Sequence, residues 1–156
     1  MRPVASPSLN HVSVSAVDLT ESIDFYDELF GAERLPTPNF GFPVQWLRIG
    51  DRQLHLFQRP GDVPAYHHFA IGVDDLDAVY AKAARRGCFD RTSFGHHLYE
   101  LPGDCVQLYL RDPGGNLVEA DAKGVGRLEA ATRAEVRRLA DRFPQSDENL
   151  RATLFL

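Results

Sequence analysis

The chain of 156 residues lacks the features that would direct it to a membrane, to the outside of the cell or to nucleic acid. No apolar run approaches the roughly 20 residues that a bilayer-spanning helix needs. The first seven residues lack the apolar stretch of a secretion signal, so we expect a cytoplasmic protein. The net charge is −5 and no basic cluster is interleaved with aromatic residues, which argues against a nucleic-acid partner.

Cysteine is scarce as well, with two residues in the whole chain. Cys88 and Cys105 have neither CxxC nor zinc-ribbon spacing, so we expect two reduced thiols with structural roles. The remaining composition is that of an ordinary soluble globular protein. Its length allows either one compact domain with a hydrophobic core or two small modules that share a single core.

The most informative stretch is residues 107–119, with the sequence QLYLRDPGGNLVE. Alternating apolar and polar residues predict a strand, and the Gly, Pro and Asn residues of 112–116 predict a reversal of the chain. In a hairpin symmetric about Gly114, Tyr109 and Glu119 oppose each other on the more polar face, roughly 5 Å apart at Cβ. A phenol and a carboxylate side by side suggest a site. Taken alone, the stretch is more typical of an ordinary exposed hairpin.

The first part of the chain predicts a strand, a helix and three further strands. Residues 9–16 alternate as a strand, and a D-x-x-E capping box at Asp18 and Glu21 opens a helix that Gly31 ends. Short strands follow at 33–35, 44–49 and 53–58. A loop covers residues 36–43.

The same pattern then restarts. Residues 66–73 predict a strand, Asp75 opens a second helix and Gly87 closes it, and two strands and the hairpin complete the series. His11 and His68 are equivalent in the two copies, with an offset of 68 − 11 = 57. The repeat predicts an α+β fold of two βαβββ modules, about 9–59 and 66–122, in one domain of 1–122. Residues 123–156 form a C-terminal extension.

The repeat also relates potential metal ligands. His11 corresponds to His68, and His55 corresponds to Glu119. All four share a strand face with small or polar residues, whereas the apolar residues of these strands lie on the face that the helices would cover. We therefore expect a lined hollow rather than a second packed core.

Two imidazoles and one carboxylate from His11, His68 and Glu119 could occupy one face of a metal ion and leave positions open. This set is typical of non-haem Fe(II) enzymes that handle oxygen, although Zn, Ni and Mn sites use the same residues. The alternative is that the histidines only form structural hydrogen bonds.

Three segments carry a resemblance to a known family, namely LNHVSVSAVDLTESIDFY, HFAIGVDDL and DPGGNLVE. With them, residues 9–122 resemble the vicinal oxygen chelate superfamily of glyoxalases, bleomycin-resistance proteins and type I extradiol dioxygenases. The resemblance implies a cupped eight-stranded mixed sheet with helices on its convex side. It also implies a divalent metal, Fe(II) foremost, on His11, His68 and Glu119.

The finer resemblance is to a small extradiol dioxygenase. Two other members of the superfamily differ at the position of His55, where glyoxalase I has glutamate and methylmalonyl-CoA epimerase has glutamine. The dioxygenases instead place a non-ligand histidine in this part of the sheet. Their signature G-x-H is matched by Gly95-His96-His97, and L-Y-x-x-D-P-x-G-x-x-x-E by residues 108–119. The gap between these two parts is longer than the pattern allows, with residues 101–104 as the insertion, so His96 could replace His97.

This resemblance implies oxygen-dependent cleavage of a catechol-like ring, with the diol and O2 as substrates. His55 would act as the acid–base group or serve as a fourth ligand, while Tyr109 and His97 would orient the substrate. Phe57 and Trp46 could line an apolar wall. Two alternatives stay open. One is a lyase, isomerase or fosfomycin-type thiol transferase of the same superfamily, and the other is a metal-free binding or resistance protein.

The extension predicts a helix. Thr132 and Glu135 form a capping box, and an apolar stripe continues to Phe143 before Pro144 ends it. With the apolar residues 154–156, such an extension could cover an open sheet edge or dock on a neighbouring chain. We expect a homodimer, in which the modules pair either within one chain or between two.

Overall fold

The computed structural model describes residues 8–154 and residue 156. These residues form two compact units that divide after Gly61, and the C-terminal extension belongs to the second unit. The expectations for the first seven residues and for Phe155 lie outside the described residues.

The first unit contains one helix and a four-stranded sheet. Its elements in chain order are β1 (His11–Ser15), α1 (Leu19–Phe30), β2 (Glu33–Leu35), β3 (Val44–Ile49) and β4 (Arg52–Phe57). The strand order is β1-β4-β3-β2, in which β1 is parallel to β4 and the other neighbours are antiparallel.

Both predicted ends of helix α1 are confirmed. The Asp18 carboxylate accepts a hydrogen bond of 2.9 Å from the backbone N–H of Glu21, and Gly31 adopts φ 63°, a conformation that costs glycine little. The helix buries Ile23, Phe25, Tyr26 and Leu29. Leu47, Leu54 and Leu56 of the sheet are also buried, as expected for the apolar face of these strands.

The second unit repeats this arrangement. Its elements are β5 (His68–Gly72), α2 (Leu76–Arg86), β6 (Leu98–Leu101), β7 (Cys105–Arg111) and β8 (Leu117–Lys123), and the strand order is β5-β8-β7-β6. Asp75 caps α2 by accepting from the N–H of Ala78, and Gly87 ends it at φ 64°.

The shared strand order confirms the α+β fold of two βαβββ modules. The eight strands form two sheets, one in each unit. Their registers also match, because Ser13 pairs with His55 in the first sheet and Ala70 pairs with Glu119 in the second. Since Ser13 and Ala70 both lie two residues after the first-strand histidine, His55 and Glu119 are structural equivalents.

The prediction of one helix from Thr132 towards Pro144 is wrong. Helix α3 (Ala130–Glu135) starts earlier and has no side-chain cap, and Thr132 is buried. The chain then forms strand β9 (Arg137–Arg138) and the short helix α4 (Leu139–Arg142). The reason is that β9 pairs in parallel with β6, satisfying backbone groups at an otherwise open sheet edge. The extension thus covers the edge of the second sheet.

Two smaller expectations can be checked directly. Neither Cys88 nor Cys105 forms a disulfide, and burial raises the pKa of the Cys105 thiol to about 11, so it stays protonated. Within residues 8–154 and 156, no helix is both long enough and apolar enough to cross a membrane.

Candidate functional site

The second unit brings two of the predicted metal ligands into contact. His68 lies at the start of β5 and Glu119 lies on the neighbouring parallel strand β8. His68 Nε2 is 3.2 Å from Glu119 Oε2, and the Glu119 side chain is almost completely buried. The predicted opposition of Tyr109 and Glu119 is confirmed in the hairpin register.

The orientation of the His68 ring fits a metal ligand. Its Nδ1 lies 2.7 Å from the backbone carbonyl oxygen of Tyr66, which can only accept, so Nδ1 carries the hydrogen. Nε2 then faces a carboxylate oxygen, and a contact at this distance holds either a proton, as in an ion pair, or a metal ion between the two atoms. Metal-ligating histidines in proteins commonly have the other ring nitrogen fixed in this way.

A polar chain orients the Glu119 carboxylate. The Gln107 side-chain amide donates to Glu119 Oε1, and the Tyr109 hydroxyl donates to Gln107 Oε1 over 2.8 Å. Burial and the nearby Glu119 raise the pKa of Tyr109, so the phenol remains a donor at neutral pH. Tyr109 therefore acts on Glu119 through Gln107, a link that the sequence did not predict.

Asp121 is a second buried carboxylate that the sequence analysis missed. It lies two residues after Glu119 on β8, opposite Gln107, and its carboxyl group is close enough to that of Glu119 for the two to affect each other's pKa. Burial raises the pKa of both carboxyl groups. A bound cation would stabilise their ionised forms, so the pair suits a metal site. The alternation E-A-D in residues 119–121 was the available signal.

The first unit presents an equivalent pair. The rings of His11 and His55 stack with centroids 4.2 Å apart, and Trp46 stacks on the His55 ring with a centroid separation of 4.4 Å. His55 is buried, whereas His11 is exposed. Trp46, predicted as part of an apolar wall, therefore contacts the candidate acid–base residue directly.

Hydrogen bonds define the free nitrogen of each ring in this pair. His11 bonds the Asn10 side-chain oxygen through Nδ1, which leaves Nε2 available, as in His68. His55 bonds Gln53 Oε1 through Nε2 at 2.9 Å, which leaves Nδ1 with the lone pair. Burial, together with the nearby His11, lowers the pKa of His55, so its ring is neutral at pH 7.

Each unit thus supplies a histidine from its first strand and a second polar group from its fourth strand. Among the described residues, no three ligating side chains form a ready metal-binding group. The triad of His11, His68 and Glu119 therefore stays a prediction, supported by the two contacts within the units.

The His97 ring forms no hydrogen bond to the polar chain of Tyr109, Gln107 and Glu119, although the His97 backbone oxygen accepts a bond of 2.8 Å from the Tyr109 N–H. Its side chain is fully buried and stacks on Phe89 with centroids 4.4 Å apart, while Tyr80 of α2 lies on the same side. Neither ring nitrogen has a hydrogen-bond partner in the described structure. The His97 ring consequently packs in the core beside α2, and its predicted role in orienting a substrate has no support from these contacts.

The neighbouring His96 does not replace it, because its Nε2 bonds the backbone oxygen of Glu135 over 2.7 Å. The segment between His97 and Leu108 is longer than the dioxygenase signature allows, and the structure explains its length. These residues form strand β6 and the turn into β7, where Gly103 and Asp104 adopt φ 85° and 56°.

The comparisons with known proteins agree with this architecture. The family model of the Glyoxalase/Bleomycin resistance protein/Dioxygenase superfamily matches residues 8–120. The chain belongs to this superfamily. Its members are mostly enzymes that bind small molecules and typically hold a divalent metal, and they include dioxygenases, lyases, epimerases and fosfomycin-resistance enzymes.

Among its relatives is a mouse (Mus musculus) protein named methylmalonyl-CoA epimerase, mitochondrial, which is 30% identical over 131 residues, covering 72% of this chain and 71% of the relative. A glyoxalase family protein from Bacillus anthracis matches with a TM-score of 0.61 and 23% identity, covering 79% of this chain and 99% of the other. Lactoylglutathione lyase from Agrobacterium tumefaciens matches with a TM-score of 0.58 and 23% identity, covering 81% of this chain and 100% of the other. These two structures show the fold alone.

Proposed function

We propose that the protein is a divalent-metal enzyme that transfers a proton on a small substrate carrying two neighbouring oxygen atoms. His11, His68 and Glu119 would hold the metal. The observation that carries this proposal is the contact between His68 Nε2 and Glu119 Oε2 at 3.2 Å, with His68 Nδ1 already engaged by Tyr66.

A divalent metal bound there would act as a Lewis acid towards the substrate oxygens and acidify an adjacent proton. The protein residues then have separate roles. His55 offers a neutral ring with a free Nδ1, the form in which imidazole accepts a proton. Gln107 and Tyr109 keep the Glu119 carboxylate oriented.

Two findings favour isomerase or lyase chemistry over ring cleavage. The mouse relative, at 30% identity, is named as an epimerase. In addition, His97 was one of the two features that suggested a dioxygenase, and its ring is buried against Phe89 and Tyr80.

Extradiol cleavage of a catechol-like ring with Fe(II) and O2 is the second candidate. The observation that favours it is His55, since glutamate or glutamine would be expected at this position in the glyoxalase and epimerase groups. A buried neutral histidine beside a candidate metal ligand suits the acid–base steps of ring cleavage.

One experiment separates these activities. The protein is loaded anaerobically with Fe(II), or with Co(II) or Zn(II), and supplied with methylmalonyl-CoA, the methylglyoxal–glutathione adduct or simple catechols. Metal-dependent exchange of substrate hydrogen for solvent deuterium, without oxygen uptake, is the result we expect. Oxygen uptake with catechol and Fe(II) would instead establish the dioxygenase, and no metal-dependent reaction with any of them would contradict both activities for these substrates.

A further inference from the structure

A cleft of about 540 Å³ lies in the second unit beside the polar chain of Tyr109 and Gln107, both of which line it. The other lining residues come from the 92–95 loop, from strand β6 and from the C-terminal extension. The extension contributes Leu139, Arg142 and Phe143. A volume of this size is within the range of small-molecule sites, roughly 300–1,000 Å³.

The lining of this cleft is neutral apart from one side chain. Phe94, Tyr99, Tyr109 and Phe143 provide aromatic surface. Arg142 is the single charged residue among the described residues that line the cleft. An apolar cleft with one cation suits an organic molecule that has an apolar body and one anionic group.

The Arg142 guanidinium is held in place by neutral acceptors only. Its Nη1 donates to the backbone oxygen of Phe94 and to the Tyr99 hydroxyl. No carboxylate lies within ion-pair distance in the described part of the chain, whereas Arg138 pairs with Glu100 at 3.5 Å. The remaining donors of Arg142 can therefore form the bidentate contact that guanidinium makes with a carboxylate.

Gly95 makes room for this arrangement. A Cβ atom at this position would lie 3.0 Å from Nη1 and 3.1 Å from Nη2 of Arg142, and the residue adopts φ 77°. The guanidinium thus rests against a backbone that a side chain would obstruct. The position of Arg142 is built by the loop as well as by the extension.

We infer that Arg142 binds a carboxylate of the substrate, and that the substrate is accordingly an organic acid with an apolar body. The inference rests on the proposed function, because Tyr109 and Gln107 connect this cleft to Glu119. It assigns substrate selection to the extension, which lies beyond the residues 8–120 that the family shares.

The test uses benzoate and benzamide, which have the same shape and differ in charge. Binding of each to the full chain is measured by ligand-observed NMR titration, with metal-free and with Zn(II)-loaded protein. We expect benzoate to bind at least about tenfold more tightly than benzamide, and Arg142→Gln to abolish that preference.

Two control variants separate anion binding from a merely structural role. Arg142→Lys keeps a cation at this position but cannot form the bidentate contact, so it should retain a weakened preference for benzoate. Arg138→Gln removes a nearby cation that is already paired with Glu100 and should also retain it. If Arg142→Lys lost the preference as completely as Arg142→Gln, Arg142 would have a structural role only and the inference would be overturned.

The outcomes also distinguish this inference from the proposed function. An Arg142-dependent preference in metal-free protein supports the anion site, even if no metal is ever taken up. Equal binding of the two compounds, or binding of neither, contradicts the anion site even if the metal binds as proposed.

Discussion

The chemistry open to each histidine depends on which ring nitrogen is already engaged. His11 and His68 both use Nδ1 for a carbonyl or amide oxygen and keep Nε2 free. His55 uses Nε2 and keeps Nδ1 free. His97 has no partner for either nitrogen and lies in the core. Four histidines that look alike in the sequence thus have three different capacities.

Replacing His55 by Gln tests its assignment as an acid–base group. Glutamine keeps a polar side chain of similar length but cannot exchange a proton near neutral pH. We expect the metal content to remain that of the wild-type protein and the turnover rate to fall by about 10²–10⁴-fold. Loss of metal from this variant would show instead that His55 is a fourth ligand.

The burial of His97 makes stability depend on pH. Burial, with His96, Arg91 and Arg137 nearby, lowers the pKa of His97 to about 4. The unfolded chain binds a proton on this residue at its ordinary pKa, so the contribution of His97 to stability should fall as the pH drops through 6.5 and level off near 4. The full effect is up to roughly 3 kcal/mol.

Denaturant unfolding between pH 7 and pH 4 checks this expectation in His97→Phe, which retains an aromatic ring beside Phe89. The variant should lose less stability on acidification than the wild-type protein does. His67→Gln is the control, since His67 is exposed. An unchanged pH dependence in His97→Phe would contradict the assigned burial.

The sequence indicated His11, His55, His68 and Glu119 as candidates because they lie at equivalent positions of two modules. It did not identify the contact of Gln107 and Asp121 with Glu119, since alternation places residues on a face but does not say which side chains meet. The role of His97 was predicted from a short sequence signature, which does not say where the ring packs, and in the structure this ring lies against Phe89 and Tyr80. His97 lies directly before β6, outside the strand itself.

At the level of single elements, local signals decided the helices of the two modules. Asp18 and Asp75 each cap a helix, because their carboxylates accept hydrogen bonds from backbone N–H groups of the first turn. Gly31 and Gly87 each end a helix, because glycine adopts the left-handed conformation at little cost. The same logic failed in the extension. There the backbone of Arg137 and Arg138 pairs with β6, an interaction with a distant strand that a local capping pattern does not contain.

The cap of α1 gives a prediction at this scale. Asp18→Ala removes the acceptor for the Glu21 N–H and should lower the free energy of unfolding by about 1 kcal/mol. Asp18→Asn keeps an acceptor oxygen and should change the free energy of unfolding by only a few tenths of a kcal/mol. Chemical denaturation measures both variants, and equal stability of the Ala variant and the wild type would show that the cap contributes nothing.

For the whole molecule, the repeat is the feature that links fold to function. Both sheets have the same strand order, and each carries a first-strand histidine beside a second polar group. The strand order and the equivalent positions could be predicted from the sequence, because a repeat shows which residues correspond even when their distances in the structure are unknown. The metal ligands that we propose follow from the same repeat. His11 and His68 are the equivalent histidines of the two modules, and Glu119 belongs to the second module.

The expectation of a homodimer also belongs to this scale. Enzymes of the superfamily commonly form dimers. Light scattering coupled to size-exclusion chromatography should give twice the mass of one chain. A mass of one chain at all protein concentrations would show that this member functions as a monomer.

The proposed metal site is tested most directly by the metal content of protein purified without added metal or chelator, measured by mass spectrometry. We expect about one divalent metal ion per chain in the wild-type protein, with severe loss in His68→Gln and in Glu119→Gln. We expect no loss in His67→Gln, whose exposed side chain is adjacent in sequence to His68. No metal in the wild-type protein even after incubation with Fe(II), Zn(II), Ni(II) and Mn(II), or equal metal in all four proteins, would contradict the proposed metal enzyme.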